Sequence, residues 1–250
     1  MRLVTVVGIF AIALSSVSLL AQRPSVDAQR ASQAYQLGWE QFHSEKFADA
    51  EQSFKQAINF DTRFALAYYA LGRADVAQKK FAEGIRAYVT CRDIYLAVAG
   101  EKFSNEMLAK QRRADQILEY QMALRQAQLS PQANTSSGRL YQQQLQRSIM
   151  RMQQTSDRDT LTLETTVPYF VSMALGAAYF RSEHFVDAER EYKAALDANP
   201  NSGETHSNLA VLYLTLGRLD ECGREISLAE KTGFQVNPGL KEELRSKRDR

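Results

Sequence analysis

Cysteine, histidine and tryptophan are scarce in this 250-residue chain, which holds two, three and one of them. Cys91 and Cys222 are too few for a disulfide framework. His43, His184 and His206 have no metal-binding spacing among themselves or with a cysteine. No glycine-rich phosphate loop occurs, and no serine stands in a nucleophile-elbow context. Acids such as Glu183, Asp187 and Glu189 are scattered as solvated faces would be. The expectation is a protein that is not an enzyme, with no cofactor, no metal and no small-molecule substrate. Net charge is small as well, at 31 basic against 29 acidic residues. The series Arg139, Arg147, Arg151 and Arg158 is too sparse for a phosphate track, so no nucleic-acid partner is expected.

Charge is almost missing from the amino terminus. Arg2 is the sole charge before Arg23, and Leu3 to Leu20 is apolar with small residues. This is the pattern of a secretory signal over residues 1–21, removed near Ala21, with Val26-Asp27-Ala28 as a second cut. The expected location is then periplasmic or secreted. An uncleaved segment anchoring the chain in a membrane is the alternative, because the run is barely long enough to cross a bilayer. No cysteine follows it, so a lipidated amino terminus is unsupported.

What the chain does have is a beat. Leu37-Gly38 is followed 34 residues later by Leu71-Gly72, and Leu175-Gly176 by Leu209-Ala210 at the same interval. A helix hairpin cannot bury its own apolar face and must lean on a copy of itself, which is what such a period reports. The first unit continues through Phe47, Ala50, Phe54 and Ala57, and the second through Phe81, Gly84, Tyr88 and Cys91. Tyr179, Phe185, Ala188, Tyr192, Ala195 and Pro200 fill the third; Tyr213, Leu219, Cys222, Ile226 and Ala229 fill the fourth. Both cysteines fall where small residues separate helices, so buried thiols are expected, with one long-range disulfide as the alternative.

These positions resemble the tetratricopeptide repeat (TPR) family of the exported bacterial type, whose 34-residue unit is a helix–turn–helix. The resemblance implies an all-α, right-handed TPR-like helical solenoid with a helical insertion between two pairs of repeats. The pairs are expected at residues 31–98 and 168–236, the insertion at 99–167, and a charged capping helix or tail at 238–250. The match departs from the family at the early tryptophan position, occupied by Ala34, Tyr68, Ser172 and His206. The second unit also has Asp75 where tyrosine is usual and Gly84 where alanine is usual.

Between Gly72 and Gly176 the register advances by 104, two more than three full units, so the segment holds two degenerate units or an insertion. Glu101 to Leu129 lacks proline and glycine and spaces Phe103, Met107, Leu108, Ile117, Leu118, Met122, Leu124 and Leu129 as one long amphipathic helix. A flexible loop is expected near 131–138. Leu140, Leu145, Ile149 and Met152 mark another helix, and Pro168 opens the first helix of the third unit.

In the TPR family the first helix of each unit lines the concave face. Carried over by register, that face presents Tyr35, Trp39, Phe42, Tyr69, Arg73, Phe170, Met173, Phe180 and Arg181. Aromatic and arginine side chains are common interface anchors, and methionine adapts to irregular apolar partners. The function implied is a non-catalytic protein–protein interaction adaptor or assembly factor that binds a protein or peptide segment. Changing Trp39 or Tyr69 to alanine should then lose the partner and keep the fold. Self-occupation of the groove by the middle helices competes with this reading. The alternative function is a structural or oligomerisation module, a homodimer joined through the middle helices.

Overall fold

The computed structural model describes residues 24–99, 105–129, 133–134, 136–154 and 167–249. The run before Ala21, residues 131, 132 and 135 of the expected loop, Phe103 and the stretch Thr160 to Thr166 lie outside the described residues, and the end of that expected loop is helical from Ser136. Eleven helices lie within them. Four antiparallel pairs form the repeats. α1 (Val26–His43) pairs with α2 (Phe47–Phe60), and α3 (Ala65–Ala77) with α4 (Phe81–Ala99). After the inserted helices α5 (Glu106–Leu129) and α6 (Ser136–Gln154), α7 (Tyr169–Arg181) pairs with α8 (Phe185–Ala198) and α9 (Gly203–Thr215) with α10 (Leu219–Lys231). α11 (Pro238–Arg248) closes the stack, its first turn capped by the Asn237 side chain. No described helix is long and apolar enough to cross a membrane.

The four hairpins turn by one device. The amides of Lys46, Lys80, His184 and Arg218 donate to the carbonyls of Gln41, Asp75, Tyr179 and Tyr213 at 2.9, 2.9, 2.9 and 2.8 Å. Such a helix-closing bond requires a left-handed residue just before the donor. Glu45, Lys79, Glu183 and Gly217 supply it, with φ of 60°, 62°, 63° and 72°. Only the fourth turn uses glycine, the residue that takes this conformation without steric cost.

Within a unit, the two helices meet where an aromatic ring lies on a glycine. A Cβ built on Gly38, Gly72 or Gly176 would stand 2.5, 2.6 or 2.7 Å from the ring of Phe54, Tyr88 or Tyr192. The fourth unit has Ala210 instead, with the slimmer Ile226 in the same core. Gly84 is explained likewise: its Cβ would lie 2.7 Å from the Val76 side chain and 3.1 Å from the Gly72 carbonyl. Small residues at these places set how closely the helices pack.

Stacking between units ignores the insertion. α4 packs directly on α7, with Tyr88 clustered against Leu175 and Ala178. Arg92 reaches the buried carboxylate of Glu191 at 3.1 Å across the same junction. The middle segment is therefore an inserted helix pair that leaves the stack, not two weak units within it. Inside each repeat pair an ion pair recurs at equal register, Glu51 with Lys80 at 2.7 Å and Glu189 with Arg218 at 2.6 Å. Cys91 and Cys222 are separate, free and buried thiols.

The inserted helices correct one expectation. Of the apolar residues that suggested an amphipathic α5, Met122 is buried and Leu118 and Leu124 pack on the core, but Met107, Leu108 and Leu129 are exposed at 73, 56 and 63 %. The buried stripe is Ala109, Arg112, Gln116, Glu119, Met122 and Ala123, which repeats at helical spacing but carries polar groups. Small and polar residues face inward because this stripe meets helix ends, where unpaired amides need acceptors. On α6, Leu145 is buried, and Tyr141, Ile149 and Met152 are half-buried.

Candidate functional site: the first-helix face and its inserted pair

The first helices of the units (α1, α3, α7 and α9) form the face that the repeat register assigns to a groove. The inserted pair lies against the opening turns of α1, α3 and α7. Asp115 accepts from the amide of Ser25, the residue capping α1, at 2.8 Å. One turn further along α5, Glu119 accepts from the amide of Leu66 in the first turn of α3 at 3.2 Å. Two acids spaced i, i+4 thus sit at the amino ends of two successive first helices, where orphan N–H groups and the helix dipole favour negative charge. Tyr141 of α6 completes the contact on α7, with its ring 5.6 Å from Tyr169 and 5.2 Å from Phe170.

This interface is polar and tightly closed. Arg112, Gln116 and Glu119 are 8, 3 and 7 % exposed. Arg112 Nε and Gln116 Oε1 are buried without a hydrogen-bond partner among the described residues. Burial pushes the Glu119 carboxyl up to about 7, against the opposing pull of the Arg112 charge and the Leu66 amide. A cleft lined by Ala28, Asp61, Phe64, Arg112, Asp115, Leu118, Glu119 and Met122 runs along the contact.

The nine groove residues divide. Tyr35 is buried, its ring 5.1 Å from Phe64 and 5.9 Å from Phe54. Phe170 is covered by Tyr141 and packs edge-on against Tyr69 at 4.8 Å. These three belong to the closed end. Trp39 is also buried, wedged against Phe54 at 5.6 Å and Phe42 at 5.2 Å. Its indole N–H approaches the Tyr35 hydroxyl without reaching hydrogen-bond geometry. The expectation that Trp39→Ala leaves the fold intact is therefore corrected, because that side chain fills the core of the first unit.

The other five line an open end. Phe42, Met173 and Phe180 are half-buried, and Arg73 and Arg181 are exposed. The guanidinium carbon of Arg73 lies 5.2 Å from the Trp39 ring centre and 5.1 Å from that of Phe42. His43, stacked on Trp39 at 5.6 Å, is exposed beside them. Sequence reasoning missed Arg112, Asp115, Gln116 and Glu119 as interface residues. The available signal was their common spacing with Ala109 and Ala123 on one stripe. His206 is structural, held between Glu225 at 2.6 Å and the Pro200 carbonyl at 3.1 Å.

Among the described residues, no three histidine, cysteine or acidic side chains are grouped to hold a metal ion. Paired-helix repeats with a partly covered side-chain strip define an all-α repeat solenoid. Residues 179–234 match the tetratricopeptide repeat family model, and the chain is TPR-repeat-like. No curated protein matches it. Among solved structures, the chain is similar to YrrB, described as a TPR protein with an unusual peptide-binding site. That match has 12 % identity and a TM-score of 0.27, covering 94 % of this chain and 98 % of the other. The structure MamA MSR-1 C2 matches at 16 % identity and TM-score 0.26, over 82 and 97 % of the two chains. The APC/C hetero-tetramer Cut9–Hcn1 matches at 13 % and 0.30, over 94 and 45 %. At such values these likenesses assign neither a site nor a partner.

Proposed function

We propose that this chain is a non-catalytic adaptor or assembly factor that takes a segment of another protein along the open end of its concave face. The observation that carries the reading is the division of the groove. The insertion covers the opening turns of α1, α3 and α7, while Phe42, Arg73, Met173, Phe180 and Arg181 stay accessible further along the same helices. An uncovered strip of aromatic, sulfur and guanidinium groups is the composition that interface anchors take. The apolar run behind Arg2 supports an exported, periplasmic or secreted setting. The mass of the protein recovered from cells tests this, through loss of residues 1–21.

The function is tested by selecting ligands on the full chain and mapping them with Phe180→Ala and Met173→Ala. Both side chains are half-buried, so binding and folding separate better here than at Trp39. Binding that survives both changes unaltered rejects the open strip as the site. A second reading, a homodimer through the middle helices, draws support from exposed Met107, Leu108, Leu129 and Met150. Light scattering over a concentration series distinguishes the two: a stable dimer that dissociates when the insertion is replaced by a short linker favours the second.

A further inference from the structure

We propose that the open end of the groove recognises an acidic segment of another protein, whose aspartate or glutamate side chains pair with Arg73 and Arg181. This rests on the adaptor reading and narrows it to a partner chemistry.

Arg73 is exposed yet held in place. The Trp39 and Phe42 rings lie about it at 5.2 and 5.1 Å. Aromatic contacts satisfy the guanidinium face and leave its in-plane N–H fork to bind a carboxylate. No carboxylate of the described residues forms an ion pair with it. Arg181 stands in the last turn of α7, the next first helix in the stack, and it too lacks an ion pair among the described residues. Glu183, two residues on in the left-handed hairpin position, forms no ion pair with it.

The two cations work on one region. Both guanidinium charges act on the buried phenol of Tyr88, which lies under the junction of α3 and α7. Arg86, Arg92, Arg190 and Arg218, by contrast, each reach a carboxylate at between 2.6 and 3.1 Å. Two exposed cations that form no ion pair among the described residues, on a strip that also offers Met173 and Phe180, are charge complementarity for an acidic ligand with an apolar residue among its acids. Pre-ordering by Trp39 and Phe42 lowers the entropy lost when Arg73 is engaged.

The test is a selection of random short peptides displayed as fusions through their carboxyl ends, so that no free terminal carboxylate is present, on the full-length chain. The selected sequences are expected to be enriched in aspartate and glutamate. Each synthetic, amidated binder should lose roughly tenfold or more in affinity with Arg73→Ala, Arg181→Ala or glutamine in place of its acids. Affinity should also fall with added salt. Arg181→Ala should leave the melting temperature unchanged, and a double charge reversal, Arg73→Glu with Arg181→Glu, should shift selection towards lysine and arginine. Peptides that are no more acidic than the library, or that ignore both arginine variants, overturn the proposal. If Phe180→Ala still weakens them, the adaptor reading survives. Binding that needs a free terminal carboxylate overturns it as well, and the absence of any captured peptide sinks both readings.

Discussion

The carboxylate of Glu119 meets the backbone amide of Leu66 at 3.2 Å, joining the inserted helix α5 to the first turn of α3. Asp115 repeats the relationship one turn earlier on the amide of Ser25 at 2.8 Å. The insertion is thus fastened to the repeats through helix amino ends instead of through a leucine seam. Polar fastening of this kind is costly when incompletely satisfied, and Arg112 Nε and Gln116 Oε1 are such incomplete groups. The attachment is specific in geometry and modest in strength, which suits an element bordering a binding strip.

The docking of the insertion should weaken as pH rises. Burial raises the Glu119 carboxyl from 4.5 to about 7, so the docked state holds the proton more tightly than the undocked one. Docking is then strongest below about 4.5, declines as pH climbs through 7 and levels off above it. Over that window the change is on the order of 3 kcal/mol. Hydrogen exchange at the Leu66 amide, followed against pH, reads it. Glu119→Gln removes the titration and should flatten the profile; a wild-type profile already flat from pH 5 to 8 refutes the account.

The repeats were legible in the sequence because their determinants are local. Gly38 with Phe54, Gly72 with Tyr88 and Gly176 with Tyr192 each fall within one unit, and each pair is a small residue opposite a large one. The insertion was legible as helix and illegible as contact. Asp115 and Ser25 are 90 residues apart, Glu119 and Leu66 are 53 apart, and both contacts join a side chain to a backbone amide that carries no sequence signature. Hydrophobic periodicity gave only part of the buried face of α5: Met122 is buried, but Leu108 and Leu129 are exposed and Gln116 is buried. The division of the groove followed from that same contact, so nine lining residues could be named without knowing which three were closed.

Glu183→Gly should stabilise the chain. Glu183 occupies the left-handed hairpin position with φ 63°, where Gly217 stands in the fourth unit, and its side chain forms no ion pair among the described residues. A non-glycine residue in that region costs roughly 1–2 kcal/mol, part of which glycine returns as unfolded-state entropy. The net gain expected is about 0.5–1 kcal/mol, visible as a raised denaturation midpoint with unchanged slope. Glu45→Gly and Lys79→Gly should behave alike, since their φ values are 60° and 62°. A lowered midpoint in all three variants argues against strain at these turns.

Gly176→Ala should do the reverse. The added methyl would meet the Tyr192 ring at 2.7 Å, inside contact distance, and the ring is itself buried. Overpacking at a close helix crossing costs typically about 1–3 kcal/mol. Gly176→Ala combined with Tyr192→Ile recreates the Ala210 and Ile226 pairing of the fourth unit and should recover part of the loss. A double-mutant cycle in denaturant gives the coupling; strict additivity would show that the ring and the methyl do not compete for the same space.

Acid should unfold the repeats through Glu51 and Glu189. Burial alone would raise both carboxyls. Hydrogen bonds from Lys55, Lys80 and Gln78 overcome that at Glu51, and those from Arg218, Lys193 and Tyr213 do so at Glu189, holding each down to about 2. A depressed carboxyl contributes stability that is complete above its unfolded value of about 4.3 and is lost as pH falls towards 2. This is the opposite sign to Glu119, so below pH 4 the insertion should remain docked while the repeat pairs it rests on lose stability. The two acids join α2 to the turn before α4 and α8 to the turn before α10, by contacts to Lys80 at 2.7 Å and Arg218 at 2.6 Å. Glu51→Gln and Glu189→Gln should each lower stability at pH 7 and reduce its decline with acid, as followed by circular dichroism in urea. Equal acid sensitivity in the wild type and the double variant would assign the acid limb to other carboxylates.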